Sequence, residues 1–176
     1  MIFAETPLTG AFVVGAKAHE DARGHFARIF DADEFATRGL ATSWPHVSVA
    51  FNKEWGTLRG MHFQTEPHAE AKLVRCVRGS LHDVVVDLRS ESPTFKRWAA
   101  YELSAANGQM LYVPPGLAHG YLTLEDETEA LYLISERYAP HAATGVRWDD
   151  PAFAIEWPAE PRVLSDRDRA WPDFSR

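Results

Sequence analysis

The chain is predicted to fold as an all-β sandwich or barrel, and three observations carry that expectation. Short apolar or alternating runs bounded by Gly, Pro and Asp recur at residues 12–16, 26–30, 46–51, 73–77, 84–88, 98–103, 110–113, 121–124 and 130–134, a spacing typical of sandwiches and barrels. Helical pattern is confined to residues 32–38. No glycine-rich strand-to-helix fingerprint, phosphate-binding loop or nucleophile elbow occurs, which disfavours nicotinamide-dependent redox chemistry.

Taken in order, the first two runs lead into the predicted helix, for which Asp31 or Asp33 can serve as N-cap. Residues 57–64 hold Arg59 and His62 around Gly60, whose missing side chain permits unusual backbone close to a ligand. In the run that follows, Lys72 alternates with Val74 and Cys76, so its ammonium is aimed at the interior. Burying a lone cation is costly, so an interior lysine implies an anionic partner; the alternative is a strand-end lysine reaching solvent. Over residues 128–137, alternation places Ala130, Tyr132 and Ile134 on one face and Leu131, Leu133 and Ser135 on the other. The stretch from 151 to 176, broken by Pro151, Pro158, Pro161 and Pro172, reads as an irregular segment packed over the barrel.

At 176 residues the chain fits one domain, residues 1–176, with a core that needs no disulfide. Hydrophobic residues make up 45% and charged residues 24%, and no apolar run is long enough to cross a bilayer. Residues 1–10 lack a basic segment followed by an apolar one, so a cytoplasmic location is expected. A net charge of −7 argues against a nucleic-acid surface. The single cysteine, Cys76, excludes an internal disulfide and a multi-cysteine zinc site.

The chemistry resides in Arg59, His62, Lys72, His119, Tyr132 and Asp168. A histidine, a tyrosine, a lysine and an arginine together can remove a proton beside a carbonyl, return one, and hold the enolate between. Each has a plainer reading. His62 can be a hydrogen-bonded core histidine, and Tyr132 can be core packing with a satisfied hydroxyl. Either aspartate of Asp166-Arg167-Asp168-Arg169 can be a solvated surface residue.

The ordered set Arg23-Gly24-His25-Phe26, Arg59-Gly60-Met61-His62-Phe63-Gln64, Lys72-Leu73-Val74, Asp83-Val84-Val85-Val86-Asp87, Ser92-Pro93-Thr94-Phe95, Ala118-His119-Gly120 and Leu164-Ser165-Asp166-Arg167-Asp168 resembles the dTDP-4-dehydrorhamnose 3,5-epimerase family. Residues 111–119 resemble the second conserved segment of cupins, implying a double-stranded β-helix of jelly-roll form. The resemblance implies His62 as general base with Asp168 as orienting partner, Asp166 being the competitor. It implies Tyr132 as general acid and Lys72 as the enolate- or diphosphate-binding cation. Arg23, Phe26, Arg28, His46, Ser48, Arg59, His119 and Tyr138 are implied as substrate or nucleotide contacts, with Arg23 and Phe26 reaching the neighbouring subunit of a homodimer.

The implied reaction is cofactor-independent epimerisation at C3, C5 or both of a nucleotide-linked 4-keto-6-deoxyhexose, foremost dTDP-4-dehydro-6-deoxyglucose. Alternatives are a single-centre epimerase, an epimerase of another sugar such as a CDP-linked one, and a non-catalytic sugar-nucleotide-binding cupin. A metal site is not expected, because His62-Phe63-Gln64 lacks the second histidine of the metal-cupin pair. Two departures bear on specificity: Arg28 stands where family members commonly carry Glu, and His46-Val47-Ser48 replaces a Gln-x-Asn. An arginine offers donors only and cannot accept from thymine N3–H.

Overall fold

The computed structural model describes residues 1–175. Its elements, in order, are β1 (Ile2–Glu5), β2 (Phe12–Gly15), β3 (Ala18–Asp21), β4 (Gly24–Ala27), α1 (Ala32–Ala36), β5 (His46–Asn52), β6 (Thr57–Gln64), β7 (Lys72–Arg78), β8 (Ser80–Asp87), β9 (Trp98–Ser104), β10 (Met110–Val113), β11 (Leu117–Thr123), β12 (Thr128–Ile134), β13 (Ala143–Gly145), β14 (Val163–Leu164) and α2 (Asp166–Arg169). One sheet runs β1-β2-β10-β7-β12-β5 and a second runs β13-β6-β11-β8-β9, with β14 parallel to β6; β3 and β4 form a separate hairpin. The expected jelly roll is therefore what the chain adopts.

Three apolar layers follow from strand alternation. Between the sheets lie Val74 and Cys76 of β7, Leu81 and Val85 of β8, Leu111 and Val113 of β10, and Tyr121 of β11. The outer face of the second sheet, with Val84, Val86 and Ala118, is covered by Val146, Phe153, Ile155, Trp157 and Phe174 from the C-terminal stretch. On the outer face of the first sheet, Leu73, Met110 and Tyr112 are covered by Phe35, Ile29, Phe30 and Trp44. Phe35 is fully buried, and its ring meets those of Phe30, Trp44 and Tyr112 edge-on at 5.0, 6.4 and 6.0 Å.

That third layer explains two differences from expectation. The strand foreseen at residues 26–30 ends at Ala27, because Ile29 and Phe30 turn into the aromatic cluster instead of a ladder. The helix is shorter than 32–38; Asp31 is its cap, accepting from the Asp33 and Glu34 N–H groups at 3.2 Å. The C-terminal stretch is not wholly irregular, since it contributes β14 and α2. No helix among the described residues is long and apolar enough to cross a membrane.

Candidate active site

Strict alternation would put Arg59 and His62, three residues apart on β6, on opposite faces. The pairing with β11 prevents this. His62 opposes His119 and Arg59 opposes Tyr121, three residues on β6 against two on β11, so β6 carries one extra residue. Such a bulge turns both side chains to the same side. Gly60 sits at this point, and a Cβ there would lie 2.8 Å from Gly120 Cα. The glycine is thus required by close strand approach, where the sequence suggested approach of a ligand.

Across the inner face of the first sheet, two rows stand side by side. Lys72, Ile134 and His46 form one, and Val74, Tyr132 and Ser48 form the next. The first row, together with Arg59, His62, Tyr138 and Asp168, lines a cavity of about 560 Å³. Tyr138, 60% exposed, stands at its rim. Ser48, Tyr132 and His119 are not in that lining.

His62 Nε2 lies 2.6 Å from Asp168 Oδ1. Asp168 is brought there because β14 pairs with β6 and leads into α2, capped by Ser165, whose Oγ accepts from the Asp168 N–H at 3.1 Å. Burial pushes the Asp168 carboxyl up, but the hydrogen bond and charge of His62, with Ser165 and the Gly60 N–H, hold it below the ordinary carboxylate value. The geometry selects Asp168 over Asp166. A carboxylate so placed fixes the imidazole tautomer and stabilises its cation.

The anionic partner that an interior Lys72 demanded comes from the chain itself. Lys72 Nζ lies 3.0 Å from Glu70 Oε1 and donates to the His62 carbonyl at 2.9 Å. Glu70 Oε2 accepts from the Gln64 N–H at 3.0 Å. Both side chains are buried and both line the cavity.

Deeper in, the Tyr132 ring meets the His119 ring edge-on at 5.9 Å, and the Tyr121 ring at 6.5 Å. Burial, reinforced by Tyr121 and Asp83, raises the Tyr132 hydroxyl well above an ordinary phenol, so it is held neutral. The Tyr121 hydroxyl donates to Asn52 Oδ1 at 3.2 Å, which also accepts from Arg59 Nε at 2.8 Å. His119 Nε2 contacts both oxygens of Asp83, at 2.9 and 3.0 Å.

Arg23, Phe26 and Arg28 lie apart from this group. Arg23 is paired with Asp21 and Arg28 with Asp31, each at 2.5 Å. Phe26 is 73% exposed on the β3–β4 hairpin. Among the described residues, no group of three or more His, Cys, Asp or Glu side chains converges as metal ligands would. Sequence reasoning missed Asp83, Asn52 and Glu70. The signal for Asp83 was a charged residue at even spacing from Leu81 and Val85 on a buried strand face.

The profile of the family described as dTDP-4-dehydrorhamnose 3,5-epimerase matches residues 5–176. The epimerase of that name from Sinorhizobium fredii is 38% identical over 175 residues, 99% of this chain and 90% of the relative. The Bacillus anthracis dTDP-4-dehydrorhamnose 3,5-epimerase structure, with TDP and PPi bound, superposes with a TM-score of 0.94 at 40% identity, covering 98% of this chain and 99% of that one. A 3'-monoepimerase from Streptomyces bikiniensis in complex with dTDP-quinovose gives a TM-score of 0.88 at 35% identity, covering 96% and 85%. The chain thus belongs to the dTDP-4-dehydrorhamnose 3,5-epimerase family.

Proposed function

We propose that this protein epimerises a nucleotide-linked 4-keto-6-deoxyhexose at C3, C5 or both without a cofactor, foremost at both, which converts dTDP-4-dehydro-6-deoxyglucose to dTDP-4-dehydrorhamnose. The observation that carries the reading is the His62–Asp168 contact of 2.6 Å on the wall of a cavity that also holds Lys72 and Arg59. The C4 ketone acidifies the neighbouring C–H bonds. His62 removes one proton, and Asp168 stabilises the imidazolium that forms. The enolate oxygen is stabilised by Lys72, and Tyr132 delivers a proton to the opposite face of the carbon. General acid–base positioning of this kind contributes roughly 10²–10⁴-fold.

Arg59 is proposed to meet the diphosphate, with Tyr138, His46 and Ser48 toward the nucleoside and His119 on the sugar side. Arg23, Phe26 and Arg28 are proposed to serve a neighbouring protomer in a cytoplasmic homodimer. Two features support the dimer: the β3–β4 hairpin is exposed along almost its whole length, and Val47, Val49 and Phe51 form an exposed apolar row on the edge strand β5. The same interpretation explains why Phe26 stands in solvent in a single copy.

The test is incubation with dTDP-4-dehydro-6-deoxyglucose in D₂O, with NMR at C3 and C5. Deuterium entering at either carbon, with inversion, is the expected outcome; labelling of C3 alone would assign a monoepimerase. No exchange with any 4-keto nucleotide sugar would overturn the reading.

A further inference from the structure

β8 carries two aspartates on one inner face, Asp83 and Asp87, neither with any exposure to solvent. Asp87 has donors in abundance: Arg89 Nε and Nη2 at 2.9 and 2.7 Å, Ser92 and Thr94 hydroxyls at 2.6 Å each, and the Arg89 N–H at 3.0 Å. Asp83 has one partner among the described residues, His119 Nε2, which touches both its oxygens. His119 is itself 3% exposed.

A sealed negative charge without compensation costs several kcal/mol. The Asp83–His119 pair avoids that cost when it is electroneutral, which requires two protons between the carboxylate and the imidazole. The Nε2–carboxylate hydrogen bond accommodates one, whichever side it resides on. A second proton in the same contact would set donor against donor, so it belongs on Nδ1. No described group hydrogen-bonds Nδ1. His119 is the cross-strand partner of His62 and lies edge-on to Tyr132, so it stands beside both proton-transfer residues.

We infer that Asp83 is a positioning residue that keeps Nδ1 of His119 protonated, so that His119 donates a hydrogen bond to the C4 oxygen of the bound ketose as negative charge develops there. The inference rests on the epimerase reading of the site. His119 then complements Lys72: one is a neutral-pair dipole fixed by burial, the other a cation paired with Glu70. Removing a single donor of this type lowers kcat by about 10²–10³-fold.

Two measurements test it. In wild-type enzyme labelled with ¹⁵N-histidine, assigned by comparison with His119→Gln, the NMR signals of His119 should show a proton on Nδ1 under the conditions of the activity assay; an unprotonated Nδ1 there overturns the proposal. This requires no turnover and no substitution of Asp83, so it decides the matter even if Asp83→Asn does not fold. When Asp83→Asn folds, kcat and deuterium exchange should fall about 10²-fold while dTDP affinity stays within about twofold. Its combination with His119→Gln should cost no more than the worse single change, because Asp83 acts through His119. Additive losses, or an unchanged kcat, overturn the proposal. Failure of wild-type enzyme to exchange any 4-keto sugar would instead sink the epimerase reading and leave the Nδ1 result standing.

Discussion

His62–Asp168 and His119–Asp83 are the same chemical pair placed on neighbouring strands, yet their surroundings differ in every respect that sets a proton's behaviour. The His62 side chain is 42% exposed at the cavity wall. Its aspartate arrives from the C-terminal stretch and has Ser165 and the Gly60 N–H besides His62 to hold it ionised. Asp83 lies on a central strand, sealed, with the imidazole as its partner. An exposed imidazole backed by a buried but well hydrogen-bonded anion can gain and lose a proton in each cycle, whereas a sealed pair can do so only by creating a buried charge. Environment, more than residue type, separates a proton carrier from a fixed donor.

The largest effect that bears on this contrast is expected from His62→Ala. Deuterium incorporation at every carbon labelled by wild type should fall by roughly 10²–10⁴-fold; near-normal exchange in this variant would remove the open pair from catalysis and erase the distinction. Tyr132→Phe comes next. The ring still packs against His119 and Tyr121, so the fold persists, while NMR should show inversion reduced by on the order of 10²-fold and exchange reduced less. Equal retention of both would take Tyr132 out of the mechanism.

Asp168→Asn sharpens the contrast by leaving the open histidine without its counter-charge. A loss of roughly 10–100-fold in kcat is expected, the scale seen when a supporting carboxylate behind a working histidine is removed, with dTDP binding by calorimetry unchanged. Asp87→Asn supplies the structural reference. Burial raises the Asp87 carboxyl, but Arg89, Ser92 and Thr94 more than offset it and bring it from 3.8 to about 2. A depressed carboxylate stabilises the fold above its unfolded pKa and loses that contribution as pH falls through the folded one. Urea unfolding should therefore show the variant about 2 kcal/mol less stable at pH 7, the gap closing between pH 4 and 2, with kcat unaffected. An undiminished gap at pH 2 would show that Asp87 stabilises by something other than its charge.

Much of this architecture was legible in the chain because the interior strands are short apolar runs set off by turn residues. The runs around Val74, Val85, Leu111 and Tyr132 are apolar on both faces, as strands covered on both sides must be, and each became a strand. The hairpin at Ala18–Asp21 and Gly24–Ala27 was not, since its residues are exposed on both sides and no burial pattern marks them. β14 and α2 span two and four residues, too short for any period to register. For α2 the surviving signal was Ser165 three residues ahead of Asp168, a cap arrangement. The family resemblance gave roles to His62 and Asp168 but none to Asp83, although its motif contains that residue, because the importance of Asp83 depends on how few donors surround it. That quantity belongs to three-dimensional packing, and no local pattern reports it.

The bulge in β6 gives the site an unusual dependence on counting. Arg59 and His62 share the cavity because one additional residue lies between them relative to β11, and the neighbouring glycines allow the two backbones to touch at that point. Were the same residues paired with β11 in unbroken alternation, every functional side chain would be preserved and the histidine would still face out of the cavity, toward the layer where Phe153 and Trp157 pack. For anyone redesigning this scaffold, the irregular pairing around Gly60 is a specification as strict as the choice of side chains in the cavity.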